Sequence, residues 1–403
     1  MTASGAPGDA IDELAGEFRR RLIDDARYSP AAGSDDRVTL QDRIHELIAE
    51  QASPLDPGQR AALAERVLST TLGLGPLEAL MADPSIDEIM VNGPGRVLVE
   101  RSGQIELTPV AFGSTEELMH LIERILTPLG RRVDEASPLA DARLPDGSRV
   151  NCVIPPLSLD GPLVTIRRFR QRGFTANELV RLGTFTSDLH GFLSRCVEAR
   201  LNLVVSGGTG SGKTTLLNVL SSMIDARERI ITIEDAAELR LAQAHVVRLE
   251  SRPPNLEGDG EVTIRALVRN ALRMRPDRII VGEVRGAEAL DMLQALNTGH
   301  DGSMTTVHAN SAADALRRIE TLALMADVAL PHRAVREQAA SALDVVVHLD
   351  RSRDGKRRVV TVAEVVRVAG EVGVRELYGL LDGTACLAAP PSDALAARFA
   401  GAV

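Results

Sequence analysis

The residues best suited to chemistry lie in Gly207-Gly-Thr-Gly-Ser-Gly-Lys-Thr214, which fits the pattern GxxxxGK[ST] at every fixed position. An apolar run over residues 201–205 precedes it and an apolar stretch over 216–224 follows, giving the strand, loop and helix that the pattern requires. Glycines 207, 208, 210 and 212 let the backbone turn its N–H groups onto a phosphate, and the helix start adds a positive dipole end. Gly207, Gly208, Thr209, Gly210, Ser211, Gly212, Lys213, Thr214 and Thr215 are therefore the expected nucleotide cradle. Lys213 is expected to reach the β- and γ-phosphates of ATP, and the Thr214 hydroxyl to ligate Mg²⁺. A glycine-rich turn that binds nothing is the alternative, and the flanking strand and helix weigh against it.

Three further groups follow the loop. Arg278-Ile-Ile-Val-Gly-Glu283 is an apolar strand ending in a carboxylate, which would stand beside the Mg²⁺ and the attacking water in a parallel sheet. Alone it reads as a surface strand end. Downstream of a phosphate loop, Glu283 becomes the candidate to polarise the water and to meet Mg²⁺ through it. In Ile231-Thr-Ile-Glu-Asp-Ala-Ala-Glu238, Glu234 and Asp235 fall where a strand should end, although acids at a helix start would look the same. Gly299-His-Asp-Gly-Ser-Met-Thr-Thr-Val-His308 holds two of the eight histidines. Zinc would need ligands that this neighbourhood does not offer, so a sensor of the γ-phosphate is favoured over a metal site.

Arginines could complete the neutralisation of a triphosphate. Arg143, Arg149, Arg167 and Arg168 lie well before the loop, where an exposed arginine is ordinarily a solvated charge; delivered from a second domain, such a fork could grip phosphate. Arg273, Arg275 and Arg285 bracket Glu283 and could serve from within the core or across a subunit boundary.

These residues need a scaffold, and the pattern of the chain supplies one. From residue 201 strands alternate with helices, which implies a parallel sheet covered on both faces. Strands are expected over 201–205, 230–233, 246–249, 279–281, 303–308 and 345–349, and helices over 212–223, 263–273, 287–296, 312–324 and 333–342. A hairpin is expected at Arg353-Asp-Gly-Lys356. Upstream, strands over 86–92, 143–155 and 163–169 and a hairpin over 96–107 turning at Ser102-Gly103 surround a helix begun by a Ser114/Glu117 capping box, which reads as a small α+β domain. The expected organisation is a flexible acidic arm (1–36), a helical segment (37–72), the α+β domain (73–172), linker helices (173–199), the nucleotide-binding domain (200–385) and a flexible tail (386–403).

Composition narrows the partners. Lys and Arg number 46 against 56 Asp and Glu, for a net charge of −10, and aromatics are 2% with no tryptophan. Neither a basic channel nor stacking platforms are evident, so no specific nucleic-acid binding is expected. No apolar stretch reaches the roughly 18 residues of a membrane span, and the N-terminus lacks an export signal, so a cytoplasmic protein is expected. Cys152, Cys196 and Cys386 form no CxxC pair, and buried inert thiols are the default for all three.

With its four motifs in order, the chain resembles the motor ATPases of type II and type IV secretion and of type IV pili. The strings VDEASPLADARLPDGSRVNCVIPP, NALRMRPDRIIVGEVRGAEALDMLQALNTGHDGSM and TTVHAN resemble the CpaF branch, which serves tight-adherence (Tad/Flp) pilus assembly. The resemblance runs from about residue 72 to 368. It implies a RecA-like P-loop NTPase core preceded by a small α+β (PAS-like) N-terminal domain, in a hexameric homo-oligomer. It further implies docking on inner-membrane platform proteins, at the inner face of the cell membrane, where ATP turnover moves pilins. Carried onto this chain, Gly207–Thr214 would be the Walker A box, Ile231–Glu238 with Glu234 and Glu238 the Asp box, Glu283 the Walker B acid, and His300 and His308 the His box. Lys213, Glu234, Glu283 and His308 would then be catalytic, while His300, Arg149, Arg167 and Arg168 would contact the nucleotide. The chain has no tetracysteine zinc set, which favours the CpaF or conjugation-type branches. Two other functions stay open: a nucleotide-gated scaffold that does not hydrolyse ATP, and a conjugation-type DNA-translocating ATPase.

Overall fold

The computed structural model describes residues 14, 18, 44, 46–49, 55–101, 103–129, 131–169, 173–254, 259–352, 355–368, 371–381 and 384–401. They divide into two compact units, residues 1–170 and 171–403.

In the first unit, helices α1 (Pro57–Leu72) and α2 (Glu78–Ala82) lead into strands β1 (Ile86–Asn92), β2 (Val97–Arg101) and β3 (Gln104–Leu107). Helix α3 (Thr115–Leu126) follows, then β4 (Leu139–Arg143), β5 (Arg149–Val153) and β6 (Leu163–Arg167). The strands form one antiparallel sheet in the order β3-β2-β1-β6-β5-β4. Alternation explains its two faces: Ile89, Val91, Val150, Cys152, Val164 and Ile166 are buried together with Leu118, Leu121, Ile122 and Ile125 of α3. Ser114 caps α3 by accepting from Glu117 N–H at 3.2 Å. The return bond of a capping box is displaced, because the Glu117 carboxylate accepts from Gly113 N–H at 2.7 Å instead.

Much of the expected arm and helical segment lies outside the described residues. Helical Phe18 is nevertheless buried with Ile44, Leu47, Ile48, Leu63 and Val67, so an aromatic of the arm expected to be flexible joins a small apolar cluster.

The second unit opens with two capped helices, α4 (Ala176–Arg181) and α5 (Ser187–Glu198), in the stretch expected to hold linker helices. Then come β7 (Leu203–Gly207), α6 (Lys213–Ser221), β8 (Ile230–Glu234), β9 (Val246–Glu250), α7 (Ile264–Ala271), β10 (Arg278–Val281), α8 (Glu288–Leu296), β11 (Met304–His308), α9 (Ala312–Leu324) and α10 (His332–Ala342). The chain closes with β12 (Val345–Arg351), β13 (Arg357–Val368), β14 (Glu371–Leu381), β15 (Thr384–Leu387) and α11 (Asp393–Ala400). Nine strands run in the order β15-β14-β13-β12-β7-β11-β10-β8-β9. From β12 to β9 all neighbours are parallel, while β13, β14 and β15 add an antiparallel extension.

Both faces of the parallel part are covered, which is why β7 and β8 are buried along their whole length. Val204 faces a core with α7, α8, α9 and α10, whereas Leu203 and Val205 face a second core with α5, α6 and α11.

Two expectations fail here. The tail is not free over 393–400: Leu395 and Phe399 of α11 are buried, with the Phe399 ring edge-on to Phe192 at 5.7 Å and the Arg195 guanidinium 4.6 Å from its centre. Cys386 is exposed, because it lies on the edge strand β15, whereas Cys152 and Cys196 are buried. Among the described residues, no helix is long and apolar enough to cross a membrane.

Candidate nucleotide site

The parallel strands align their carboxyl ends. In register, β7 ends at Gly207 beside His308 of β11 and Leu349 of β12, while Ile233 of β8 pairs with Val281 of β10. Ligands of such sheets sit beyond that edge, and the loop between β7 and α6 stands there.

The loop needs its glycines. Gly210 and Gly212 have φ of +70° and +95°, in the left-handed region that side-chain-bearing residues avoid. A Cβ on Gly207 would strike the Leu349 carbonyl oxygen and come within 2.5 Å of Ser211 Oγ. Gly212 is also the N-cap of α6, so the helix start opens onto the loop.

The donors in this cradle are turned onto its own backbone. Lys213 Nζ donates to the carbonyls of Gly207 at 3.1 Å and Gly208 at 2.9 Å, and Ser211 N–H makes a long 3.4 Å bond to Gly208. Ser211 Oγ is buried without a partner. Half-burial pushes the Lys213 pKa down against the attraction of Glu283. An ammonium held by two carbonyls and an orphaned hydroxyl are poorly satisfied, and a phosphate would satisfy both better. The cradle therefore fits a nucleotide phosphate, and Thr214 stands in the first turn of α6 beside it.

Two acids flank it differently. Glu283, two residues beyond β10, is half-buried and bonded by the Arg285 guanidinium, Nε at 2.9 Å and Nη2 at 2.5 Å. Arg285 also lies 3.5 Å from Asp235, so it links the ends of β8 and β10. Glu234 is 3% exposed. Its Oε2 accepts from the N–H groups of Glu238 at 2.8 Å and Leu239 at 2.9 Å, while Oε1 is buried and unpartnered. Burial outweighs those two bonds and raises its pKa to about 7. Its Cγ would be 2.8 Å from a Cβ on Gly282, the residue before Glu283. Glu234 thus shapes the backbone at the site's edge, and Glu238 contributes its backbone to the same turn.

The two histidines part company. His308 ends β11 beside Gly207 and is exposed. His300 precedes β11, so the whole strand separates it from the loop, and its Nδ1 lies 3.1 Å from the Ala295 carbonyl. A strand carries its two ends to opposite edges of a sheet, so the two histidines of the expected His box stand at different edges.

Arg149, Arg167 and Arg168 belong to the first unit. Arg143, Arg149, Arg167 and Glu88 are successive cross-strand partners, hence one row on the sheet face away from α3. Arg168 is a structural residue, donating through Nη1 to the Asp83 carbonyl and, at 3.2 Å, to that of Ile86.

Sequence reasoning missed two residues at the loop. His348 of β12 is buried against Ser206, Nδ1 to Oγ 3.0 Å, and burial lowers its pKa. Arg357 of β13 donates from Nε to the Gly210 carbonyl at 2.9 Å. Only the pairing of β12 with β7 reveals them.

The sequence profile of the family described as Type II/IV secretion system protein matches residues 70–387. A Mycobacterium tuberculosis protein named for conjugal transfer is 38% identical over 333 residues, covering 80% of this chain and 94% of its own length. The type IV secretion system protein PtlH of Bordetella pertussis is 37% identical over 333 residues, covering 75% of this chain and 96% of its own. Among solved structures, the pilus retraction motor PilT with bound ADP superposes with a TM-score of 0.52 at 17% identity, covering 80% of this chain and 84% of its own. That last likeness is one of fold.

Proposed function

The chain belongs to the type II/IV secretion system protein family, and on that premise we propose that it is a hexameric motor ATPase that hydrolyses ATP to drive pilus assembly or secretion. The observation that carries this reading is the Gly207–Thr214 loop at the carboxyl edge of β7, with Lys213 turned onto backbone carbonyls that phosphate oxygens would replace. Within the family we assign it to the CpaF branch of tight-adherence pilus ATPases, on the strings over 133–156 and 270–310. Its working place would be the inner face of the cell membrane, against inner-membrane platform proteins.

The residues divide the work of phosphoryl transfer to water. On binding, the Lys213 ammonium leaves Gly207 and Gly208 for the β- and γ-phosphates, and Ser211 N–H leaves its long bond for the β-phosphate. Thr214 and, through water, Glu283 would hold Mg²⁺, which supplies charge neutralisation on the phosphate oxygens. Glu283 orients the attacking water, and Glu234, packed against Gly282, holds the turn at Glu238 and Leu239. His308, beside Gly207 at the end of β11, would sense the γ-phosphate, and this reading gives His300, before the strand, no part in it. The row of Arg149 and Arg167 would bring positive charge to the nucleotide from the N-terminal domain.

A second reading, a conjugation-type DNA-translocating ATPase, is favoured by the relative named for conjugal transfer. Stimulation of ATP turnover by DNA would separate the two, and the pilus reading expects none. Electron microscopy of the purified protein with a non-hydrolysable ATP analogue tests the main proposal. A six-membered ring with nucleotide at residues 207–214 is expected, and monomers with an empty loop would refute it.

A further inference from the structure

The β12–β13 hairpin grips the phosphate loop from outside. Leu349 of β12 pairs with Gly207, so β12 runs on past the end of β7 to Asp350 and Arg351, level with the loop. The chain then returns with Arg357 as the cross-strand partner of Arg351. Arg357 Nε donates to the Gly210 carbonyl at 2.9 Å, and its Cδ would lie 3.5 Å from a Cβ on Gly212. Arg351 Nη1 would lie 3.7 Å from a Cβ on Gly210. Two guanidinium groups of the same unit therefore flank the segment that the glycines leave bare.

We propose that Arg357 is a positioning residue for nucleotide binding, holding the Gly210–Ser211 peptide so that the Ser211 N–H need only give up its long bond to Gly208 to meet phosphate. This rests on the nucleotide reading above. The Gly210 carbonyl and the Ser211 N–H belong to one peptide plane, so a charged donor on the oxygen fixes that plane and strengthens the N–H as a donor. The anchor matters because the loop is rich in glycine and loses much backbone entropy when ordered. Arg351 beside it adds positive potential on the same flank. The effect falls on binding, since Arg357 reaches the loop rather than Glu283 or the water that Glu283 would orient.

Two substitutions separate this role from simple packing. Arg357→Met keeps the stem over Gly212 but removes charge and donor, and Arg357→Lys keeps both. Affinity is read with a fluorescent ATP analogue, KM and kcat from steady-state hydrolysis, and folding from the melting temperature without nucleotide. Arg357→Met should weaken binding and raise KM about tenfold, with kcat within about twofold of wild type. Arg357→Lys should stay within about threefold of wild-type affinity. Wild-type affinity in Arg357→Met would overturn the proposal while leaving the nucleotide reading intact. Equal losses in both variants with a lowered melting temperature would overturn it too, by showing a packing role. A wild-type protein that binds no ATP would overturn the nucleotide reading, and this inference with it.

Discussion

The Glu283 carboxylate takes two hydrogen bonds from a single guanidinium, Arg285 Nε at 2.9 Å and Nη2 at 2.5 Å, and the same guanidinium lies 3.5 Å from Asp235. The ends of β8 and β10 are thereby tied through the acid assigned to the attacking water. The Arg285 side chain is 64% exposed, and exposed pairs contribute only about 0–1 kcal/mol to folding. Its consequence should therefore appear in turnover rather than in stability.

Arg285→Ala is expected to leave the melting temperature unchanged and to lower kcat about tenfold, with KM within about threefold, because an unanchored carboxylate positions water poorly. Steady-state ATP hydrolysis and a thermal melt check this. A wild-type kcat would remove Arg285 from the account.

Glu234 makes a prediction about pH. Folded, it keeps its proton up to about pH 7, whereas unfolded it releases it near the ordinary 4.5. Between those values the folded state binds more protons, so this group's stabilising contribution is complete below about 4.5 and is lost as pH rises through 7. The loss is up to about 3 kcal/mol, from the size of the shift. Glu234→Gln mimics the protonated side chain and removes the dependence. Melting temperatures from pH 5 to 8 should shift progressively in favour of the variant, and parallel curves would show that Glu234 is ionised throughout.

The C-terminal helix should be indispensable to the second unit. Phe399 is 7% exposed, against Phe192 and Arg195 of α5, the helix that leads into β7. Phe399→Ala should destabilise the full chain by about 3 kcal/mol in urea unfolding. A change below about 0.5 kcal/mol, the range of ordinary surface substitutions, would show that α11 does not dock.

What was legible in the sequence, and what was not, follows from the range of the interactions involved. The loop was readable because its glycines, its lysine and the flanking apolar runs are all local signals. Helix α9 matches its expected bounds of 312–324, with Ser311 Oγ accepting from Asp314 N–H at its start. Arg357 was invisible because its place at the loop depends on β12 pairing with β7, some 140 residues apart in the register Leu349 to Gly207. His300 and His308 were joined in one box by the family resemblance, although the strand expected over 303–308, found as β11, lies between them. The tail's alanines and prolines suggested mobility, but Leu395 and Phe399, four apart, share the helix face that is buried beside Phe192 of α5. The close packing of Glu234 on Gly282 follows from the pairing of β8 with β10, which no local pattern reveals.

Hydrolysis of Mg²⁺-ATP by the wild type, beside Lys213→Ala and Glu283→Gln, bears most directly on whether this chain is a motor ATPase. The wild type should turn over ATP, and each variant should lose at least about a hundredfold in rate while keeping its fold. Undiminished rates in both variants would mean that the cradle at the end of β7 is not where the reaction takes place.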